Sequence, residues 1–301
     1  MFAAPENITA TAVARLPDKF RRGGRPWLNP DGEALDCFLE APVIGPDGAL
    51  YFVDVLNGRI HRLSESGEVD VVAEYDGEPN GLKFGPRGRL YVADFKNGLL
   101  ICEVSSGSVT PLLERVNEER FKGLNDLIFD RSGKLFFTDQ GNSGLHDPTG
   151  RVYCLAPDGQ LRLLLSNVPS PNGIVISPNG QILYLAVTCA NQIWRTRLEA
   201  SGAIGKVGVY VNLSGRSGGP DGIAVDEQGN LVVAQIGTGT VWLFGALGEP
   251  LLRVDCGAGR MPSNVAFGGR HRTTLYITEA ETGMILSAEM PFRGAEIPVF
   301  A

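Results

Sequence analysis

Six oxygen-bearing side chains recur at one place in a repeated pattern. Glu40, Asn80, Asn125, Asn172 and Asp221 each stand eight residues before a glycine (Gly48, Gly88, Gly133, Gly180 and Gly229), and Asn264 stands eight before Arg272. The intervals between them are 40, 45, 47, 49 and 43 residues. No His or Cys shares the register. Brought together, these groups offer carboxylate and amide oxygens, hard ligands that suit calcium or magnesium before zinc or copper. Two carboxylates balance a divalent charge and amide oxygens fill part of the shell. Water or substrate takes the rest, which leaves a position open for catalysis. Taken singly, a Pro-Asn-Gly or Pro-Asp-Gly is a turn former, because Asn and Asp tolerate unusual backbone angles. Glu40 has no such preference, and the shared register is what points to a metal.

The elements that would position these residues are strands. Six segments resemble one another: GPDGALYFVD (45–54), GPRGRLYVAD (85–94), DRSGKLFFTD (130–139), SPNGQILYLAV (177–187), DEQGNLVVAQ (226–235) and GRHRTTLYITE (269–279). Each is a polar turn feeding a run of β-branched, aromatic and Leu residues. Another short apolar run precedes each turn, and a third and often a fourth follow. Long amphipathic helical windows are absent. Four short strands repeated every 40 to 49 residues predict an all-β, six-bladed β-propeller, with four-stranded antiparallel blades around a central channel. The first strand of each blade lines the channel, so the six polar residues should converge at one end of it. The expected organisation is one propeller domain over residues 1–301. Within the segment of about 1–36, TAVARL (11–16) is expected to complete the last blade and close the ring.

Composition narrows the function classes. The chain has 301 residues, 43% of them hydrophobic, which is enough for a sizeable core and too apolar for disorder. With 27 Lys+Arg against 34 Asp+Glu, the net charge of −7 offers no phosphate-neutralising footprint, so no nucleic-acid partner is expected. No run of roughly 18 apolar residues exists, so no membrane partner is expected either. Cys37, Cys102, Cys154, Cys189 and Cys256 are widely and irregularly spaced. They are read as buried free thiols in a reducing compartment. The N-terminal stretch lacks a basic segment followed by an apolar one, and a cytoplasmic location is expected. Oligomeric state is left open.

Four stretches resemble a known family in order and spacing: LEAPV around Glu40, GLNDLIFDRSGKLFFTD around Asn125, VPSPNGIVISPNG around Asn172 and GGPDGIAVDEQGNL around Asp221. TLYITEAETG near the end looks like the family's last blade. The resemblance is to the senescence marker protein (regucalcin), gluconolactonase and luciferin-regenerating-enzyme family. It implies a six-bladed propeller holding one catalytic divalent cation, usually Ca2+, with Mg2+, Mn2+, Fe2+ or Zn2+ also able to occupy an open site. Carried over by motif, the ligands are Glu40, Asn125, Asn172 and Asp221. The implied reaction is lactone hydrolysis, with Asp221 positioning or deprotonating the attacking water. Asn80 and Asn264 complete the ring, either supporting the ligands from behind or contacting substrate, and Lys122 and His146 are rim candidates for substrate contact. The partner expected is a small-molecule lactone or ester. Two alternatives stand beside it: a hydrolase of another ester, such as an organophosphate, or a non-catalytic calcium-binding propeller.

Two departures matter. The family usually has Gly after the ligand Glu, where this chain has Ala41, a change expected to be tolerated. Diisopropyl fluorophosphatase, a similar propeller, binds a second calcium through residues whose places hold Ala224 and Ala266 here, so no second calcium of that type is expected. One motif is a decoy. Gly215-Arg216-Ser217-Gly218-Gly219 fits Gly-x-Ser-x-Gly, but it sits in a Gly-rich loop rather than a strand-to-helix turn. The only later histidine, His271, falls in a predicted surface turn.

Overall fold

The computed structural model describes residues 2–22, 34–215 and 218–296, and it is a six-bladed β-propeller. The innermost strands are Leu39–Ile44, Pro79–Phe84, Leu124–Phe129, Pro171–Ile176, Gly219–Val225 and Pro262–Gly268. In each of the first five blades the chain steps outward through three more antiparallel strands. Each innermost strand packs on the next, and the sixth packs on the first, which closes the channel. Among the described residues the helical pieces are three-residue 3-10 turns at Asp18–Phe20, Pro86–Gly88 and Thr188–Ala190. No helix among them is long and apolar enough to cross a membrane.

Thr11–Arg15 pairs antiparallel with Met284–Glu289 and forms the outer strand of the sixth blade. Glu6–Thr9 runs parallel to Pro250–Asp255 and adds a fifth strand to the fifth blade. Both pairings cover strand edges that would otherwise offer unpaired backbone groups. A two-stranded hairpin, Arg115–Val116 with Glu119–Arg120, lies between the second and third blades. Of the segment expected to close the ring, Met1 and residues 23–33 lie outside the described residues.

The core lies between blades. Val43, Tyr51 and Val53 of the first blade pack with Leu82, Leu90 and Val92 of the second. Phe136 and Val152 meet Ile174 and Leu185 across the next-but-one junction. Each such side chain gains roughly 1.5–3 kcal/mol on full burial, so the alternating apolar residues fix the blade order.

The repeated turns need a left-handed residue. Gly48, Gly133, Gly180 and Gly229 supply it with φ between 74° and 87°. In the sixth blade Arg272 holds the same place at φ 57°. A side chain there costs roughly 1–2 kcal/mol that glycine avoids. Arg272→Gly is expected to stabilise the protein by about 1 kcal/mol. A denaturant titration should show a higher midpoint at unchanged slope; an unchanged or lower midpoint would contradict the strain argument.

Candidate functional site

Every innermost strand slips by one residue where its polar residue sits. The register shifts fall between Glu40 and Val43, Pro79 and Gly81, Leu124 and Leu127, Pro171 and Ile174, Pro220 and Ile223, and Pro262 and Asn264. Each is a β-bulge, in which the inner strand carries one more residue than its neighbour. A bulge bends the strand and re-aims a side chain. Six bulges at one level therefore turn Glu40, Asn80, Asn125, Asn172, Asp221 and Asn264 to one end of the channel.

Neighbouring blades are tied together at that level by hydroxyls. Thr138 Oγ1 donates to the Asn172 carbonyl (2.9 Å), Thr188 Oγ1 to the Pro220 carbonyl (2.8 Å) and Ser263 Oγ to the Leu39 carbonyl (2.6 Å). The chain leading into four inner strands is held by a buried acid at the end of the second strand. Asp54 accepts from Phe38 N–H, Asp94 from Glu78 N–H, Asp139 from Gly123 N–H and Glu279 from Met261 N–H, at 2.9–3.0 Å. These acids fix the backbone immediately before the ring residues.

The residue after each ring residue is small where the next blade crowds it. A Cβ on Gly173 would lie 2.4 Å from the Asp221 carbonyl oxygen, and one on Gly222 would lie 2.1 Å from the Asn264 side chain. Ala41 occupies this place after Glu40, with φ 48°. The methyl is therefore carried in the left-handed region, at a cost of roughly 1–2 kcal/mol. The same conformation turns the Ala41 N–H onto Glu40 Oε2 at 2.7 Å. Local strain thus accompanies a group that holds the carboxylate in place.

The charge balance is the most informative property of the ring. Glu40, Asn125, Asn172, Asp221 and Asn264 are between 3% and 6% exposed. Beside them lies a third acid, Asp126, which accepts from Leu127 N–H (2.8 Å) and Ile174 N–H (3.3 Å) and so ties the third blade to the fourth. Among the described residues no ion pair serves Glu40, Asp126 or Asp221. Burial pushes the Glu40 carboxyl up to about 8, against the pull of the Asn264 and Ala41 hydrogen bonds, with the Asp126 charge adding to the rise. Burial and the Glu40 charge hold Asp221 well above the carboxylate range, opposed by a hydrogen bond from Asn172. Burial raises Asp126 as well, opposed first by the charge of Lys83.

The hydrogen bonds also decide which way the amides face. Asn125 Nδ2 donates to Gln140 Oε1 at 2.9 Å, and Gln140 Nε2 donates to Ser170 Oγ at 2.8 Å. Gln140 is thereby oriented, and Asn125 keeps its oxygen free among the described residues. The Asn172 side chain lies beside Asp221 and lowers the proton affinity of that carboxyl. Asn264 is different: its Nδ2 donates to Glu40 Oε2 at 2.8 Å while its Oδ1 accepts from Val265 N–H at 2.8 Å. With both ends used, Asn264 positions Glu40. Asn80 is half-buried, and its side chain has no protein partner among the described residues.

A hard divalent cation fits this set. The groups on the ring are oxygen donors, two are carboxylates, and their negative charge lacks a compensating ion pair among the described residues. Among the described residues no three His, Cys, Asp or Glu side chains cluster to hold a metal. The candidate ligand set of Glu40, Asn125, Asn172 and Asp221 is half amide. Gln140→Leu should weaken divalent-cation binding by about 10-fold or more, because orienting partners of ligands carry effects of that size. Gln140→Glu, which keeps the acceptor for Asn125, should restore most of it. Calorimetric titration with calcium checks both, and an unaltered affinity in the Leu variant would contradict the orienting role.

Other candidates lie elsewhere. Lys122 is exposed and lines a cavity beside the Arg115–Arg120 hairpin. His146 is exposed on the Gly144–Asp147 turn, where Gly144 N–H donates to the Asp147 carbonyl at 3.0 Å. Neither is in the ring. All five cysteine thiols are free, but Cys189, expected to be buried, is exposed because it falls in the Thr188–Ala190 turn. Arg216 and Ser217 of the Gly-x-Ser-x-Gly decoy lie outside the described residues, and His271 is exposed.

Fold and site together define a six-bladed propeller whose channel head is a ring of buried carboxylates and amides. Within that class the chain belongs to the SMP-30/gluconolactonase/LRE-like family, whose model matches residues 38–281. Lactonase drp35 of Staphylococcus aureus (strain MRSA252) is 30% identical over 238 residues, covering 75% of this chain and 71% of the relative. The fold is similar to the calcium-binding protein regucalcin of Agrobacterium tumefaciens, with a TM-score of 0.78, 22% identity and 99% of each chain covered. It is also similar to a gluconolactonase of Xanthomonas campestris, with a TM-score of 0.75, 23% identity, and 97% of this chain and 100% of that one covered.

Proposed function

We propose that the protein is a divalent-cation-dependent hydrolase that opens a lactone. The observation that carries this reading is the pair of buried acids, Glu40 and Asp221, without an ion-pair partner among the described residues and flanked by the buried amides of Asn125 and Asn172. The lactonase and gluconolactonase names of relatives support the choice of substrate class. A divalent cation bound there, calcium first by ligand chemistry, supplies Lewis-acid polarisation of the ester carbonyl.

The chain's own residues do the rest. Asp221 orients a water and takes its proton as the water oxygen bonds to the carbonyl carbon. Burial and the Glu40 charge raise its proton affinity in the cation-free protein, and a bound cation would lower it again, so Asp221 would be ionised when it holds the water. When the ring C–O bond breaks, Asp221 returns the proton to the departing oxygen, and the product is a hydroxy acid. Glu40 stays charged and fixed by Ala41 N–H and Asn264. The unpartnered amide of Asn80 is available to bind substrate. Free thiols throughout the chain fit a reducing compartment, and we place the protein in the cytoplasm.

Proton release from a panel of sugar, alkyl and aryl lactones tests the reaction class, with fluoride release from a fluorophosphate run in parallel. Turnover of at least one lactone well above the fluorophosphate is expected. Faster fluorophosphate hydrolysis, or cation binding without turnover of any ester, would overturn the reading.

A further inference from the structure

A cavity lies away from the ring. It has a volume of about 700 Å³ and separates the Arg115–Arg120 hairpin from the outer strands of the third blade, Gly150–Leu155 and Leu161–Val168. The hairpin is anchored rather than loose. Phe121 sets its ring edge-on against Phe137 (5.5 Å) and Tyr153 (5.6 Å). The stand-off between hairpin and blade is therefore built into the packing.

The lining has two characters. Val116, Leu161 and Leu163 give an apolar wall, and Leu163 leaves half of its surface exposed. Arg115, Lys122 and Arg151 give three cations against one acid, Glu119. Their charges are poorly spent within the protein. Arg151 reaches Glu119 only at 3.9 Å and otherwise donates to Tyr153 Oη at 3.2 Å. The Arg115 guanidinium donates to the Glu118 carbonyl at 3.2 Å. The Lys122 ammonium makes no hydrogen bond or ion pair among the described residues and, like Arg151, reaches the buried Asp139 carboxyl only through its charge. A cationic pocket on a chain of net charge −7 is a local reversal of sign.

We propose that this cavity is a binding site for an amphipathic carboxylate. The acid group pairs with Arg115, Lys122 and Arg151, and an alkyl or aryl tail covers Val116, Leu161 and Leu163. Guanidinium groups suit a planar carboxylate, and the tail removes exposed apolar surface from water. The proposal stands independently of the chemistry assigned to the channel, because it concerns binding at separate residues.

The test is calorimetric titration of the full chain, cation-free, with sodium decanoate below its micellar concentration. Saturable binding at one site per chain is expected. Leu163→Asp and Arg115→Glu should each weaken it by about tenfold or more. Leu247→Asp, at an exposed leucine on the fifth blade, should leave it unchanged. Decyltrimethylammonium, with the same tail and the opposite charge, should bind at least tenfold more weakly. Absence of saturable decanoate binding, equal binding of the ammonium compound, or binding unmoved by both cavity variants would overturn the proposal. Arg115 is exposed, so its variant decides the matter should Leu163→Asp fail to fold.

Discussion

Asp221→Ala is expected to reduce lactone turnover by on the order of 10³-fold or more while the propeller remains folded. Asp221 is assigned two jobs, oxygen ligand and proton acceptor, and alanine performs neither. The fold should survive because the side chain is held in the ring chiefly against its own preference. Its burial and the Glu40 charge both oppose ionisation. Removing it takes out a buried acid that has no ion pair among the described residues, so the cation-free variant should melt no lower than the cation-free parent. Thermal unfolding in chelator, together with turnover in excess calcium, checks both halves. Full activity in the variant would remove Asp221 from the mechanism. Collapse of the fold would make its role structural.

The second large effect concerns Glu40 and pH. Glu40→Gln preserves shape and an acceptor for Ala41 N–H and Asn264, but removes the charge. Loss of cation affinity by about 100-fold or more is expected, with little change in the fold. The parent's affinity should also depend on pH. In the cation-free protein Glu40 is pushed up to about 8 from an ordinary 4.5, with burial as the first cause. Protons therefore compete with the cation over that range, and affinity should rise as pH rises towards 8. Stability without cation has the opposite slope. The native state holds more protons than the unfolded chain between about 4.5 and 8. The contribution of Glu40 is present at acid pH and is lost as pH rises through the native value. Saturating calcium should flatten or reverse this loss. Calcium titrations and chemical unfolding at pH 5.5, 7 and 8.5 test the signs; an affinity that falls with pH would contradict them.

Much of this fold was legible because its repeat is written in strongly patterned residues. Turn glycines followed by runs such as LYFVD, LYVAD and LFFTD set the blade count, and the eight-residue offset put six oxygen donors in one register. The structure adds what spacing does not encode. Asp126 is invisible as a ring member because the +1 position holds small residues in four other blades, Ala41, Gly81, Gly173 and Gly222, and Val265 in the sixth. Gln140 acts through a hydrogen bond across fifteen residues, and only the bulged pairing of the strand it follows, Leu135–Asp139, brings it to Asn125. The acids at the ends of LYFVD and LFFTD read as strand ends, yet they capture the backbone leading into the ring. His146 is exposed on the loop after the second strand of the third blade, where loop length alone makes it a rim candidate.

The most direct measurement is a cation titration of turnover. Chelator-stripped protein would be titrated with calcium, magnesium, manganese or zinc, while proton release from a hydrolysed lactone is followed. Negligible turnover is expected in the stripped protein, with restoration that saturates at one cation per chain and no restoration in Asp221→Ala or Glu40→Gln at the parent's saturating concentration. Full turnover in the stripped protein, or a cation bound one to one that leaves turnover unchanged, would contradict this expectation.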